Sequence, residues 1–233
     1  MNTKIILSDY DHPAVLTKAN ELTSGRVKVL DKVENLFYFV RDEIKFGFPP
    51  KWDEVKASET LEYKMGYCNT KATLFLAFCK AVGIHARLHT GLIDSQVMRG
   101  VLPFFAFPFL PGAGGHSWME IEIDGEWKPM DSYINDKPFY DGALKRLKES
   151  GKTTAFSISQ AKGVSSCEFN FGEKGFVHMG AVFEDHGTWD DFAEYMASEK
   201  YVRWNRLQLM AYSMLTRTLN RKIENMRVQT TSL

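Results

Sequence analysis

The segment from Cys68 to Val82 constrains the fold more than any other part of the chain. It reads CNTKATLFLAFCKAV, and its apolar residues fall on nearly every face of a helix. A helix that is apolar almost all round must be covered on all sides, so it belongs at the centre of a domain. Gly83 follows directly and is typical of the residue that ends a helix. We therefore expect the rest of the chain to pack around this helix.

An amphipathic helix is expected on the N-terminal side of this segment. Its apolar residues recur at alternating steps of three and four, namely at Leu30, Val33, Phe37, Val40 and Ile44. That spacing places all of them on one face of a helix, which would pack on the core. The paired prolines at 49–50 stop the pattern, because proline cannot continue a helix.

A strand and a β-hairpin are expected on the C-terminal side. The segment IHARLHTGLI (84–93) places Ile84, Leu88 and Leu92 on one face of a strand. The segment HSWMEIEIDGEWKPMDSYI (116–134) alternates on both sides of Asp124-Gly125, a dipeptide that favours tight hairpin turns. The sheet is therefore predicted to be antiparallel.

Three later segments, 137–150, 188–200 and 201–223, are predicted helices. A buried helix packed on an antiparallel sheet, with flanking N- and C-terminal helices, makes the fold class α+β. The last helix carries an apolar stripe that either packs on its own domain or docks a partner such as a second copy of the chain. Its members are Trp204, Leu207, Ala211, Leu215, Leu219 and Ile223.

Composition excludes several classes of partner. The 29 Lys and Arg residues balance the 29 Asp and Glu residues, so no global charge favours nucleic acid or a membrane surface. The most apolar run, VLPFFAFPFLPG (101–112), is too short to cross a bilayer and contains three prolines. Three cysteines do not form a disulfide framework, and the N-terminus does not resemble a secretion signal. We expect a cytoplasmic protein with reduced thiols.

The three cysteines differ in their positions. Cys68 stands where the central helix begins, and a helix N-terminus favours the negative charge of a thiolate, which is the nucleophilic form. Cys79 lies three turns inside the same helix, and Cys167 has no helix-start context. Buried free cysteines are common in protein cores, so a core position is the alternative for each. Cys68 is the candidate nucleophile.

A nucleophilic cysteine needs a base, and hairpin register supplies one in His116. With a two-residue Asp124-Gly125 loop, Ile123 faces Glu126, and Asp131 then lies opposite Trp118. His116 is one diagonal step from Asp131 on the same face, at a backbone distance of roughly 7–8 Å. A slip of one residue would separate them onto opposite faces. The alternative is a surface histidine and an unrelated aspartate.

The other histidines carry weaker signals. His12 and His186 lie in acidic segments and are expected in solvent, whereas His178 could be in the core or line a site. His85 and His89 have the i, i+4 spacing of helical metal ligands. On a strand that spacing separates the two side chains by roughly 13 Å, too far to share one ion. No metal site is predicted.

Three motifs, taken in order, resemble the core of the transglutaminase-like superfamily. They are a Gly-x-Cys that opens a buried helix, a Gly-Ile-x-x-Arg strand, and a His-x-Trp strand followed by Trp-x-x-x-Asp. The matching residues are Gly66 and Cys68; Gly83, Ile84 and Arg87; His116 and Trp118; and Trp127 and Asp131. The resemblance covers about 30–135 and implies a papain-like fold. The chain is then a single transglutaminase-like domain (1–233) with a C-terminal extension over 136–233.

The resemblance implies a Cys-His-Asp triad of Cys68, His116 and Asp131. Such a triad transfers an acyl group from an amide through a thioester, to water or to an amine. The substrate would be a peptide or protein amide, and hydrolysis is favoured over cross-linking by analogy with small members of the superfamily. No metal or organic cofactor is required. The alternative is a non-catalytic peptide-binding or scaffold domain of the same fold.

Two details near the predicted site stay open. The backbone N–H of Cys68 is the expected oxyanion donor, and relatives add a side-chain donor from upstream. Trp52, Tyr63 and Tyr67 could serve, or could only pack. The glycine-rich stretch QVMRGVLPFFAFPFLPGAGG (96–115) could be a mobile lid or a packed loop. Trp118 could shield the histidine from water or belong to the core.

Overall fold

The computed structural model describes residues 6–103, 112–161 and 163–228. Its helices are α1 (Pro13–Thr23), α2 (Val29–Tyr38), α3 (Ala57–Tyr63), α4 (Cys68–Ala81), α5 (Lys137–Ser150), α6 (Phe192–Ala197) and α7 (Arg206–Val228). Its strands are β1 (Lys45–Phe46), β2 (Met65–Gly66), β3 (Ala86–Asp94), β4 (Ala113–Ile123), β5 (Glu126–Met130), β6 (Thr154–Ala155), β7 (Ile158–Ser159) and β8 (Val182–Trp189). Residues 104–111, in the glycine-rich stretch 96–115 predicted to be either a lid or a packed loop, lie outside these residues.

The central helix α4 is buried along most of its length, as its sequence predicts. Every residue from Asn69 to Cys79 is buried, whatever face of the helix it occupies. One side of α4 packs on β3 and β4, and α1, α2 and α3 cover the rest. Gly83 adopts a φ of +70° immediately after the helix, in the left-handed region that glycine favours. The fold is therefore α+β, with one helix at its centre.

The main sheet has four strands in the order β5-β4-β3-β8, and adjacent strands are antiparallel. Ile123 pairs with Glu126 and Met119 with Met130, which is the predicted hairpin register. The turn between them has φ values of +53° at Asp124 and +80° at Gly125. Positive values at both central residues match the twist of the flanking strands.

The edge strand β8 was missed by the sequence analysis. Its segment, VFEDHGTW, mixes acidic residues and a glycine with β-formers, and its alternation is weak. It pairs with β3, and Trp189 Nε1 donates a hydrogen bond to Thr90 Oγ1 at 2.8 Å. The 136–233 segment thus adds a strand to the sheet built by the core. The division into a single domain over 1–233 with a C-terminal extension over 136–233 stays a prediction.

The N-terminal helix differs from expectation at its two ends. Val33, Phe37, Val40 and Ile44 are fully buried as predicted, but Leu30 is 43% exposed in the first turn of α2. After Tyr38 the backbone widens into a π-helical turn over Phe39–Glu43. The predicted stripe is therefore correct over its last four members and wrong for Leu30.

The long helix α7 is fastened to its own domain by polar contacts. The Asn220 side chain accepts from Phe48 N and donates to Phe48 O, both at 2.8 Å. Tyr212 Oη donates to Pro49 O at 2.6 Å, and Arg227 forms an ion pair with Asp136. Leu219 and Ile223 are buried, whereas Leu207 is 74% exposed. Docking of a second copy through α7 stays a prediction.

In the ranges that the structure describes, no helix combines the length and apolar composition needed to cross a membrane.

A buried lysine lies one turn into α4. Lys71 is fully buried, and its Nζ donates to the carbonyl oxygens of Arg41 at 3.2 Å and Ile134 at 2.8 Å. Burial lowers the pKa of Lys71 to about 7. In the unfolded chain a lysine has a pKa of about 10.4. Between these values the unfolded chain binds a proton that the folded chain does not, so this residue makes the free energy of unfolding increase with pH.

We expect Lys71→Met to remove this contribution. The free energy of unfolding of the wild type, relative to the variant, should rise between pH 7 and pH 10 by up to about 1.4 kcal/mol per pH unit. Urea unfolding at several pH values measures it. Lys80→Met, on the same helix but partly exposed, is the control and should keep the wild-type pH dependence. If the free energy of unfolding varied with pH in the same way for the wild type and Lys71→Met, the prediction would be contradicted.

Candidate active site

Cys68 is the first residue of α4, and its side chain is partly exposed. The first N–H groups of a helix have no acceptor within it, and the helix dipole is positive at this end. Both effects favour a negatively charged sulfur or oxygen at this position. Cys68 Sγ contacts Asn69 Oδ1 at 3.4 Å.

Close packing explains the glycine of the Gly-x-Cys motif. A Cβ atom on Gly66 would lie 2.5 Å from Thr70 Oγ1 and 3.0 Å from Lys71 Cγ. Thr70 Oγ1 accepts a hydrogen bond from Tyr67 N at 3.1 Å and so caps the start of α4. Any larger residue at position 66 would push this cap away. The motif therefore fixes the backbone that carries Cys68.

His116 and Asp131 lie together as the hairpin register predicts. His116 Nε2 is 3.1 Å from Asp131 Oδ2, and both side chains are buried. The carboxylate also accepts hydrogen bonds from the backbone N–H groups of Val177 and His178. Because every described partner of the carboxylate is an N–H group, its orientation is fixed. Asp131 in turn orients the imidazole.

The other ring nitrogen of His116 is available to Cys68. Nδ1 is buried and has no hydrogen-bond partner in the described part of the chain. Burial alone would lower the pKa of His116, but its hydrogen bond with Asp131 and the neighbouring Cys68 outweigh burial and raise the pKa to about 9. His116 is therefore cationic at neutral pH, beside a thiol at a helix N-terminus. Reactive cysteines typically lie in electropositive, partly exposed surroundings of this kind.

Trp118 covers one side of the histidine. Its ring is 4% exposed and stacks on His116 at 5.9 Å and on His89 at 4.2 Å between ring centroids. His89 is held between Glu120 and Asp185, with both contacts at 2.7 Å. This stack supports the interpretation that Trp118 shields the His116–Asp131 pair from water.

A second histidine, His178, borders the site and was not assigned a place by the sequence analysis. Its Nε2 lies 2.8 Å from the carbonyl oxygen of Ser157. A carbonyl only accepts hydrogen bonds, so Nε2 carries the proton and Nδ1 is an acceptor. Burial and the positive charge of His116 lower the pKa of His178 to about 4, so it is neutral at pH 7. Its segment, GFVHMG, contains no motif that could have revealed that His178 lies beside His116.

A buried carboxylate behind Cys68 was also missed. Asp53 accepts hydrogen bonds from Tyr67 Oη at 2.7 Å, Asn69 Nδ2 at 2.8 Å and Tyr201 Oη at 2.7 Å. These contacts hold the Asn69 amide so that its oxygen faces Cys68 Sγ and Ser117 Oγ. Burial raises the pKa of Asp53, although its hydrogen bonds oppose the shift. The network joins three distant segments and has no sequence signature.

The three candidates for a second oxyanion donor occupy different places. Tyr67 borders the cavity at Cys68, but its hydroxyl donates to Asp53. Trp52 stacks on Tyr67 at 5.3 Å and on Trp204 at 4.0 Å, and it lines a separate cleft. Tyr63 borders neither space. Of the three, Trp52 has a buried Nε1 that finds no hydrogen-bond partner among the described residues, so the side-chain donor stays a prediction.

The remaining cysteines have inert environments. Cys79 is fully buried, and burial raises its pKa far above the usual range. Cys167 is 1% exposed, and burial raises its pKa to about 12. Both are neutral thiols at pH 7. The distinction between Cys68 and Cys79 drawn from helix position agrees with this burial.

One histidine prediction was wrong. His186 is 5% exposed, and its Nδ1 lies 3.0 Å from Tyr195 Oη, because β8 places it under α6. His12 is exposed and caps α1. The side chain of His85 is 80% exposed.

The ligand atoms of His116, Asp131 and His178 lie within 4.8 Å of one another, close enough to consider a metal ion. The carboxylate already accepts N–H groups on both oxygens, and His178 Nε2 donates to Ser157 O. An ion bound by this carboxylate would compete with the N–H groups that it already accepts. The geometry is that of a hydrogen-bonded network around a histidine.

A cavity of about 450 Å³ opens beside Cys68 and His116. Its wall comes from α7, from the ends of β3 and β4 and from the chain around Phe46 and Phe48. Its volume falls in the range of small-molecule sites. The side chains of Cys68 and His116 therefore both border the same cavity.

The motif residues on the sheet also contact one another. Arg87 lies over the Trp127 ring at 4.0 Å from its centroid, and Arg87 Nε donates to Glu120 Oε2 at 2.7 Å. Glu120 therefore connects Arg87 with His89, which stacks on Trp118. Three motif residues, Arg87, Trp118 and Trp127, are thus connected on the main sheet through these contacts.

Residues 17–132 match the family model of the transglutaminase-like superfamily. The comparison with curated proteins gave no match. One similar solved structure is a "putative cysteine protease" from Cytophaga hutchinsonii, at 15% identity and a TM-score of 0.49, over 82% of this chain and 46% of that one. Another is a "putative protease" from Parabacteroides distasonis, at 15% identity and a TM-score of 0.36, over 54% of this chain and 25% of that one.

The chain spans less than half the length of either solved relative. The matched segment contains α4, the β4–β5 hairpin, Cys68, His116 and Asp131. The family model and the motif order agree with each other and with the α+β architecture. The chain belongs to the transglutaminase-like superfamily.

Proposed function

We propose that the protein is a thiol-dependent acyl-transfer enzyme that acts on amide bonds through Cys68, His116 and Asp131. One observation carries the proposal: the buried His116–Asp131 pair lies beside a partly exposed cysteine at a helix N-terminus, and the same cavity reaches His116 and Cys68. Nucleophile, base and orienting acid are the parts that acyl transfer requires.

In the first step the Cys68 thiolate attacks the carbonyl carbon of the amide. The oxygen becomes an oxyanion, which the N–H of Cys68 can stabilise at the start of α4. His116 then donates the proton on Nδ1 to the nitrogen of the leaving amine. The carbon–nitrogen bond breaks, and the acyl group stays on Cys68 as a thioester.

In the second step His116, now neutral, takes a proton from the acceptor as it attacks the thioester. We propose that the acceptor is water, which yields a carboxylic acid and regenerates the thiolate. Among the described residues that line the cavity there is no carboxylate to attract a cationic amine. Hydrolysis by a peptidase or amidase is therefore favoured over cross-linking to an amine.

Thiol reactivity tests the proposal. With a dilute alkylating reagent at pH 7, we expect Cys68 to react at least about 100-fold faster than Cys79 and Cys167, which are buried and neutral. Peptide mapping measures the three rates. His116→Ala should slow Cys68 labelling markedly, because the cationic partner is lost. Equal slow labelling of all three cysteines would favour a non-catalytic scaffold domain.

The acceptor can be tested separately. Peptide mixtures are offered with and without a labelled small amine, and cleavage, ammonia release and amine incorporation are compared. Hydrolysis predicts cleavage or ammonia release that the amine does not alter. Incorporation of the amine in place of water would overturn the choice of acceptor and retain the thiol mechanism.

A further inference from the structure

The cavity beside Cys68 has a consistent chemical character. Its wall is built from side chains such as Phe48, Ile93, Met98, Leu102, Leu215 and Leu219. Within the described residues, no Asp, Glu, Lys or Arg side chain lines it. Away from His116 and Cys68, a charged group placed there would lose its water and gain no ion-pair partner, at a large cost in free energy. The cavity therefore excludes charged groups.

Most polar atoms of the wall are already bonded to the protein. Tyr67 Oη donates to Asp53, and Tyr212 Oη donates to Pro49 O. Ser157 Oγ lies 2.8 Å from His178 Nε2 and 3.1 Å from Asn135 Oδ1. Gln208 Oε1 accepts from Asn205 N. A substrate group in this cavity would meet an apolar wall, with polar chemistry concentrated at Cys68 and His116.

We infer that the substrate's acyl group is uncharged and apolar, such as a medium-length aliphatic chain or an aromatic acyl group. The inference rests on the proposed function and names the substrate class of that same site. The acyl group is the part that stays attached to Cys68 after the amine has left. The acyl group is therefore the part of the substrate that an enclosed site can bind during both formation and hydrolysis of the thioester.

The volume sets the expected size. A space of about 450 Å³ accepts a group far larger than an acetyl. Each methylene that moves from water into an apolar site gains a transfer free energy that corresponds to roughly threefold to fourfold in binding. We expect this gain to appear in kcat/KM until the cavity is filled.

One glycine allows the cavity to be filled without disturbing its wall. Gly114 is two residues from His116 on β4, so both lie on the same face of the strand. Among the described atoms, the nearest neighbour of a Cβ atom there would be Ile93 Cγ2, at 3.9 Å, an ordinary contact. Gly114→Leu therefore places a side chain in the cavity and reduces the space left for an acyl group. Gly112→Leu is the matched control, because among the described residues Gly112 does not line the cavity and no atom lies within 4 Å of such a Cβ.

The experiment uses p-nitrophenyl esters of straight-chain acids from acetate to decanoate, below their micelle concentrations. Attack by Cys68 releases p-nitrophenolate, and water then releases the acid. We expect kcat/KM to rise about threefold per methylene from acetate to octanoate. The p-nitrophenyl monoester of glutaric acid should react at least about tenfold more slowly than the pentanoate ester, because its carboxylate enters the cavity. Gly114→Leu should move the optimum to shorter chains, and Gly112→Leu should keep it.

The outcomes separate the two proposals. Ester cleavage equal in wild type and Cys68→Ala would overturn the proposed function. Cleavage that depends on Cys68 but is indifferent to chain length, or that prefers the glutarate ester, would retain the enzyme and overturn the apolar acyl site. If kcat/KM rose with chain length but Gly114→Leu and Gly112→Leu had the same chain-length optimum, the placement of the acyl group in this cavity would also be overturned.

Discussion

Replacing Cys68 with alanine is expected to abolish turnover, with a loss in kcat of roughly 10⁴- to 10⁶-fold. Removal of the nucleophile removes the thioester route altogether, and what remains is the small acceleration that substrate binding and oxyanion contacts provide. Cys68 is partly exposed at the start of α4, and alanine is a good helix residue, so the fold should tolerate the change. Steady-state and single-turnover hydrolysis of an activated ester measure the loss.

Cys79→Ala is the matched control for this experiment. Cys79 lies on the same helix and is fully buried, so its replacement leaves a small cavity that lowers the free energy of unfolding by about 1 kcal/mol. Its turnover should be within about twofold of the wild type. If Cys68→Ala retained most of the activity while remaining folded, the nucleophile would have to lie elsewhere.

Replacing Asp131 with asparagine is expected to lower kcat by roughly 10²- to 10⁴-fold. The Asp131 carboxylate accepts N–H groups from His116, Val177 and His178 on its two oxygens. An asparagine has one oxygen, so its NH₂ group would face at least one of these donors. The imidazole would lose its fixed orientation, and the pair with Cys68 would weaken.

The same variant should shift the alkaline limb of the pH–rate profile. Although burial works against it, the hydrogen bond with Asp131, together with Cys68, raises the pKa of His116 to about 9. The imidazolium form that protonates the leaving amine therefore persists up to about pH 9 in the wild type. Without the carboxylate the pKa falls, so the alkaline limb should move at least about one unit to lower pH. A profile of kcat/KM between pH 6 and pH 10 measures this.

Asp191→Asn separates this effect from general loss of stability. Asp191 is also a buried carboxylate that accepts backbone N–H groups from a distant segment, at Leu7 and Ser8. Its replacement should lower the free energy of unfolding and leave the alkaline limb near pH 9. An alkaline limb that stayed at pH 9 in Asp131→Asn would contradict the assignment of Asp131 as the residue that positions His116.

The parts of the fold that the sequence predicts correctly depend on local patterns. The all-round apolar segment predicts α4 within one residue of its observed end at Ala81. Asp124-Gly125 predicts the turn and, through strict alternation, the register that brings His116 to Asp131. Helix position distinguishes Cys68 from Cys79, because a helix start and a helix interior differ in exposure. Each of these inferences uses residues that are close together in the chain.

The parts that the sequence does not predict depend on contacts between distant segments. His178 reaches the site because residues 176–178 pack against the end of the hairpin, and Asp53 reaches Asn69 from another loop. His186 is buried only because α6 packs on it, and Leu30 is exposed in the first turn of α2. No spacing or periodicity in the chain encodes these neighbours.

The sequence by itself predicts the central helix, the hairpin and its register, because helix and strand periodicity follow from the local order of apolar residues. It also proposes Cys68, His116 and Asp131 for the chemistry, through helix position, hairpin register and the resemblance of the motifs. Only the tertiary structure decides what surrounds them. It holds the buried imidazole between Trp118 and Asp131, raises its pKa and places α7 against an apolar cavity beside Cys68. Burial, electrostatic coupling and cavity shape depend on every segment that packs around a point, so they exist only once the chain has folded.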